Sequence, residues 1–454
     1  MTRTEQIAQF VARTGYDDLP ASVVRKAKDV IMDTLGCGIG TTTEDPKKAA
    51  TAWGIVRQMG GPQEATNLVA GFKTPAVWAA FANGVLCHGI DFDDTHKEAL
   101  THTGAPIVPA ALASAETKGL SGKDLITGVV LGYEVSVRVG MCVMPSHYRF
   151  WQSTATNCTF GAAALTAKMY GCTEEEIINA LGLTGTQAAG LLTYLEFGDF
   201  SKSLNVGKCS FNGVFSGICA KTGATAPPVM LEHKMGYSYA YCPDGEPKLD
   251  KLTAGLGENY EILVNVPKPY PSLTASHAPI ELVLKLMKEK GIKPEQIVKI
   301  TERTYNTVKT HFSNFDPQTT MAARLSVPYC IAVAAATGTC GVAQFTMDVI
   351  NDPKVRQMLS KVEIIADPEL NKLYPEKFPA VIDIETADGK TYHGEQYYPG
   401  GDVMNPISLD GLKHKFRGLA APSFSAGRVE EIINAVDRLE DCKDVRDFTK
   451  LLVK

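Results

Sequence analysis

The chain has 454 residues, 44% of them hydrophobic and 21% charged, a globular composition in a chain too long for one ordinary core. Its net charge of −5 and pI near 6.0 argue against a nucleic-acid or membrane-surface partner, either of which needs a basic face. Eleven cysteines with no C-x-x-C pair fit reduced, buried thiols of a cytoplasmic protein rather than a zinc site or a disulfide framework.

The opening TRTEQIAQFVARTG is amphipathic, with Ile7, Phe10 and Val11 on one face, and reads as a helix rather than a signal peptide. A second helix follows Pro20, over Val23 to Leu35. Pro75 opens a third, whose Ala76, Ala79, Ala80, Ala82 and Gly84 permit close helix contacts. Further helices are expected at about 106–118, 122–140, 159–170 and 208–223, and Thr173 with Glu176 has capping-box spacing. The apolar stretches are broken by Asn, Gly or charge short of the ~20 residues of a membrane span. Near Val264 the pattern changes. After a helix at 277–290, IVKITERTY (297–305) and VEIIAD (362–367) read as strands, with one helix between them at about 319–337. VIDIETADGKTYHGEQYY (381–398) reads as a hairpin turning at Asp388-Gly389. The last 50 or so residues return to helices. The expected fold is mainly α: a large helical domain, 1–264 completed by 403–454, with a smaller α/β lid domain inserted at 265–402.

Chemistry concentrates in HGIDFDDTHKEALTH, residues 88–102, which holds His88, Asp91, Asp93, Asp94, His96 and His102. Carboxylates this close repel one another, so hydrogen bonds, cations or helix N-termini must compensate. Three readings are open: a solvated acidic loop, a magnesium site, or an Asp–His pair. The loop reading sits poorly between the apolar flanks GVLCHGIDF and APIVPAAL. A diphosphate-holding magnesium site wants a second acidic motif, and NDPKVRQM at 351 lacks the further ligands. In the third reading Asp91 fixes the imidazole of His102 and raises its basicity.

HGIDFDDTH, followed by His102 and GAPIVPAALASAE, resembles the signature of the MmgE/PrpD family. VVRKAKDVIMDTLGCGIGT, SKSLNVGKCSFNG at 201–213 and ARLSVPYCIAVAAATG at 323–338 extend the resemblance over most of the chain. The family includes 2-methylcitrate dehydratases, cis-aconitate decarboxylases and an iminodisuccinate epimerase. The resemblance implies a cofactor-independent, metal-free homodimer of helical domain plus lid, acting on a small polycarboxylate. It matches Asp91 and His102 to the family's Asp and the following His, Lys202 and Lys268 to active-site lysines, and Arg324 to a helical A-R/K-x-S-x-x-Y pattern. Ammonium groups in a desolvated cleft would bind carboxylates and stabilise an enolate-like intermediate.

The sequence also departs from decarboxylase-like members. Gln152 stands where they carry a His, and it can hydrogen-bond a substrate but cannot exchange a proton near neutral pH. His311 falls near their lid tyrosine. Tyr148, opposite Lys268, would suit an epimerase. The expected activity is therefore a lyase, by dehydration or a related elimination, with epimerisation second. A non-catalytic helical binding protein is the alternative from another class, although a binding surface needs no such set of titratable residues.

Overall fold

In the computed structural model, which describes residues 1–454, the first helix begins at a capping box. The Thr2 side chain accepts from Glu5 N, and the Glu5 carboxylate accepts from Thr2 N, so α1 spans Arg3–Arg13. α2 (Ala21–Glu44) and α3 (Pro46–Met59) follow, the latter capped by the Asp45 side chain. α4 (Ala76–Cys87) starts after Pro75, and α5 (Gly104–Lys118) precedes α6 (Gly122–Val143). α7 (Ser153–Met169), α8 (Glu174–Gly185) and α9 (Ser201–Lys221) complete the long helices before residue 265. The capping box expected at Thr173 and Glu176 is present on α8.

Two of these helices start earlier than their composition suggests. α7 begins in STATN, a run that reads as loop because Ser and Thr compete with the backbone for hydrogen bonds. Here Thr156 and Thr159 bond back to the carbonyls four residues before them, at 3.2 and 2.7 Å, which keeps buried hydroxyls satisfied inside the helix. α6 is long and apolar enough to cross a membrane, with a stretch of mean hydropathy 1.4, yet that stretch lies wholly buried within the protein. The glycines that break its apolar run admit neighbours instead: a Cβ at Gly132 would lie 2.7 Å from Ile107 and 2.8 Å from Leu165. The small residues of GAAALTA and GVFSGICA meet each other in the same way. A Cβ at Gly213 would sit 2.3 Å from Ala162, and one at Gly217 2.7 Å from Thr166, so these residues serve the α7–α9 contact.

The chain forms two compact units, each described by itself. The first comprises Met1–Leu195, Phe200–Asn265 and Ser408–Lys454; the second comprises Glu196–Asp199 and Val266–Ile407. In the second unit α10 (His277–Lys290) precedes β1 (Ile297–Thr304). The helix expected over 319–337 is two: α11 (Thr320–Arg324) and α12 (Val327–Thr337). Ser326 caps the second of them by accepting from Tyr329 N, and Pro328, lacking an N–H, suits its first turn. Then come β2 (Val362–Ala366), β3 (Ala380–Thr386) and β4 (Thr391–Gln396). The sheet order is β2-β1-β3-β4, parallel between β1 and β2 and antiparallel elsewhere. Gly389, at φ 81°, makes the β3–β4 turn. Ile300, Ile364, Ile382 and Ile384 face a core shared with Leu282 and Ile331. The first unit is completed by α13 (Leu409–Ala420), packed on α2, and α14 (Ala426–Asp437). The whole fold is mainly α.

One residue of this sheet breaks the alternation in chemistry though not in register. Glu302, between Ile300 and Thr304 on the inner side of β1, is fully buried with both carboxylate oxygens unbonded. Burial pushes its pKa up to about 8, and the neighbouring Cys330 adds to the shift. The folded protein therefore holds this proton between about pH 4.5 and 8, where an unfolded chain has lost it. Stability is highest below that window and falls as pH rises through it, by several kcal/mol from this one group. Glu302→Met should consequently raise the melting temperature by an amount that grows from pH 5 to 8.5. A gain that stays constant across that range would mean the carboxyl is not protonated in the fold.

Candidate active site

α4 ends at Cys87 with His88 as its C-cap, and the loop 88–103 leads to α5. The loop is held in shape by its own backbone. His96 N donates to Thr101 O at 2.8 Å, Thr101 N returns to His96 O at 3.3 Å, and His102 N donates to Thr154 Oγ1 at 2.9 Å. Asp91 adopts φ 55°, the left-handed region, a conformation that costs energy for a residue with a Cβ and is common at working sites.

Each carboxylate of the loop has its own compensation, which answers the repulsion inherent in the sequence. Asp91 Oδ1 lies 2.6 Å from Lys202 Nζ, in the first turn of α9, and both side chains are buried. Asp93 Oδ2 lies 2.7 Å from His88 Nδ1, where both residues are fully buried. Asp94 Oδ1 accepts from Gly104 N at 3.0 Å at the start of α5, while Oδ2 accepts from the Tyr133 hydroxyl and from Asn265 Nδ2. Burial raises the Asp94 pKa to about 7 despite these donors. Gly104 must be glycine for this packing, since a Cβ there would lie 2.3 Å from Thr34 Oγ1 and 2.9 Å from Asp94 Oδ1.

His102 lies at the centre of the loop's contacts. Its Nδ1 is 2.9 Å from the Asp94 carbonyl oxygen and 3.2 Å from Thr95 Oγ1. A carbonyl only accepts, so Nδ1 carries the proton and Nε2 is the basic nitrogen. The sequence reading gave the orienting task to Asp91. Here the Asp94 carbonyl performs it at Nδ1, and Asp91 holds Lys202. The His102 and His88 rings lie 5.0 Å apart between centroids, and Asp93 Oδ2 is 3.8 Å from His102 Nδ1.

Gln152 caps α7 and is buried. Its Oε1 accepts from Asn205 Nδ2 at 2.9 Å, and its Nε2 donates to the Lys202 carbonyl at 3.3 Å. The amide thus braces the helix that carries Lys202. Tyr148, in a short 3₁₀ turn, is 36% exposed. Asp91, His102, Lys202 and Gln152 are therefore gathered around one loop of the first unit, with His88 and Asp93 among them.

Lys268, Arg324 and His311 belong to the second unit. Lys268 is buried. Arg324 is buried too: Nη1 donates to the Pro271 carbonyl at 2.9 Å, and its guanidinium lies 4.7 Å from the Phe345 ring centroid. That arrangement fixes the chain just after Lys268, a structural task. His311 ends a short helix, Asn306–His311, and is exposed.

His88, Asp93 and His102 offer donor atoms within 4.8 Å of one another, a spacing that a metal ion can use. Both imidazole Nδ1 atoms, however, already face oxygen acceptors at hydrogen-bond distance, and three donors fall short of a closed tetrahedral site. The set fits a proton-handling array better.

Lys415, on α13, was not distinguishable in the sequence. Its Nζ lies 2.7 Å from Asp33 Oδ1, donates to the Phe92 carbonyl at 2.6 Å, and sits 3.8 Å from the Phe92 ring centroid. Burial works against its charge, but Asp33 and Asp93 outweigh it and raise the pKa. The acidic loop is thus clamped from the C-terminal segment.

Comparison with known proteins gives the family. The MmgE/PrpD N-terminal domain model matches residues 5–250, and the MmgE/PrpD C-terminal domain model matches residues 270–441. A cis-aconitate decarboxylase of Aspergillus terreus is 26% identical over 99% of this chain and 95% of its own length. The cis-aconitate decarboxylase of Homo sapiens is 27% identical over 99% of this chain and 94% of its own. A 2-methylcitrate dehydratase of Salmonella typhimurium is 25% identical over 90% and 88%. With the two models together covering nearly all of the helical and sheet-bearing segments, this chain belongs to the MmgE/PrpD family.

Proposed function

We propose that this chain is a lyase that removes a proton from a carbon beside a carboxylate of a small di- or tricarboxylic acid. The observation that carries the reading is the His102 imidazole, fixed at Nδ1 by the Asp94 carbonyl in a loop that also holds the Asp91–Lys202 pair. His102 Nε2 takes the proton, and the Lys202 ammonium meets the charge that gathers on the substrate carboxylate as the carbon–hydrogen bond breaks. The similar proteins act on tricarboxylic acids by their names, cis-aconitate and 2-methylcitrate, which supports a substrate with two or three carboxylates. The reaction needs an acid–base group and fixed cations and no redox group. In the same reading residues 265–402 act as a lid that supplies Lys268 as a second cation, and two copies of the chain form a homodimer through the helical unit.

Incubation with citrate-like and succinate-like acids in deuterated water tests the proposal. We expect an alkene product, formed by loss of water across the bond beside the carbon that gave up its proton; release of carbon dioxide would instead mark decarboxylation. A saturated, deuterium-labelled stereoisomer would replace elimination by epimerisation. Neither turnover nor exchange with any such acid would overturn the proposal.

A further inference from the structure

We propose that His88 is a positioning residue for the base: by donating from Nδ1 to Asp93 it keeps that carboxylate ionised and turned toward His102. The inference rests on the reading of His102 as the base and extends it to a residue that reading does not use.

The hydrogen-bond pattern fixes the protonation of His88 without any assumption about catalysis. Gln152 Oε1 accepts from Asn205, so the amide nitrogen of Gln152 is the atom that points at Lys202 O and at His88 Nε2, 3.5 Å away. An amide nitrogen can only donate, so His88 Nε2 accepts. The single proton of a neutral imidazole is then on Nδ1, aimed at Asp93 Oδ2 at 2.7 Å. The chain of donors runs one way, from Asn205 through Gln152 and His88 to Asp93.

The charges around His88 are Asp93 on the loop, the Asp91–Lys202 pair contributed by the loop and α9, and His102 across a 5.0 Å ring separation. His102 in turn faces Asp93, His88, the Asp94 carbonyl and the hydroxyls of Thr95 and Thr154. Burial lowers the His88 pKa even though Asp93 raises it, so His88 meets Asp93 as a neutral dipole. This matters for the base. A cationic His88 would cancel the Asp93 charge, whereas a neutral one stabilises the carboxylate and leaves its charge for a protonated His102 at 3.8 Å. Without its hydrogen-bond donor the fully buried carboxylate would keep the more distant Lys415 ammonium of α13 in its favour but would take up a proton more readily, so that His102 would lose its counter-charge.

The test uses the full chain carrying histidine labelled with carbon-13 at Cε1, titrated by NMR without substrate. The His102 signal is assigned by its absence in His102→Asn. In His88→Leu the titration midpoint of His102 should fall by about 1 pH unit or more, the scale set by an opposite charge within 4–6 Å. His88→Asn places an amide N–H where Nδ1 stood and should keep the wild-type midpoint. Asp93→Asn should reproduce the fall, and it provides the test on its own if His88→Leu does not fold. An unchanged midpoint in Asp93→Asn, or an equal fall in both His88 variants, overturns the proposal. Because no substrate is present, this result stands or fails separately from the polycarboxylate reading.

Discussion

His102→Asn should lower turnover of the identified substrate by about 10²–10⁴-fold, the usual cost of losing a general base, while leaving the fold intact. The amide nitrogen of Asn occupies the place of Nδ1 and preserves the bond to the Asp94 carbonyl, so the loop keeps its anchor. What disappears is Nε2, the only basic atom of that side chain. The effect should therefore fall on the chemical step more than on substrate binding, and initial rates with a melting curve on the same samples separate the two. A variant that keeps most of its activity would remove His102 from the mechanism and transfer the proton to another group, with Tyr148 the first to examine.

The second large effect is expected at the buried ion pair. Lys202 and Asp91 side chains are 5% and 2% exposed, at 2.6 Å, so neither charge is well hydrated. Lys202→Met should destabilise the protein by roughly 3–5 kcal/mol, because removing one member of a buried pair leaves the other charge behind. The double variant Lys202→Met, Asp91→Asn should recover most of that loss. Asparagine tolerates the left-handed conformation that Asp91 adopts, so the backbone asks nothing further of it. Activity should not recover, since the cation facing the substrate is still missing. Denaturant unfolding of the single and double variants, beside their turnover, reads both halves. If the double variant regains turnover, Lys202 serves the fold alone.

Much of this molecule was legible before its structure. The helices with periodic apolar faces or caps are where the sequence puts them: α1 around Ile7, Phe10 and Val11, and α8 just after Thr173. The hairpin followed from Asp388-Gly389, because few dipeptides satisfy such a turn. The acidic loop stood out by the density of its charge. The errors have physical causes. The polar start of α7 reads as loop because side-chain hydroxyls bonding back to the helix look the same in sequence as hydroxyls that end it, and at the start of α9 the Ser203 hydroxyl bonds instead to the His88 carbonyl. The break at Ser326 is a cap and proline signal inside a run of otherwise continuous helix formers.

Within the site, residue types were easier to read than partners. Sequence pattern marks Asp91, His102 and Lys202 alike, but which carboxylate meets which cation depends on backbone angles such as the φ of Asp91. His88 and Asp93 lie five residues apart in the acidic segment, a spacing that a tight loop closes into a pair. Asp33 and Lys415 are separated by most of the chain, and nothing local marks either. Such a pair is visible only once the fold has brought α2 and α13 together.

That late pairing has a consequence for how the protein comes into being. The acidic loop is synthesised in the first quarter of the chain, yet the ammonium group that grips the Phe92 carbonyl arrives with residue 415 of 454. A nascent chain can form most of its helices and still lack the clamp on this loop. A product that stops before α13 would lack this clamp, and its acidic loop would be held through its other partners, those on α6, α7 and α9 among them.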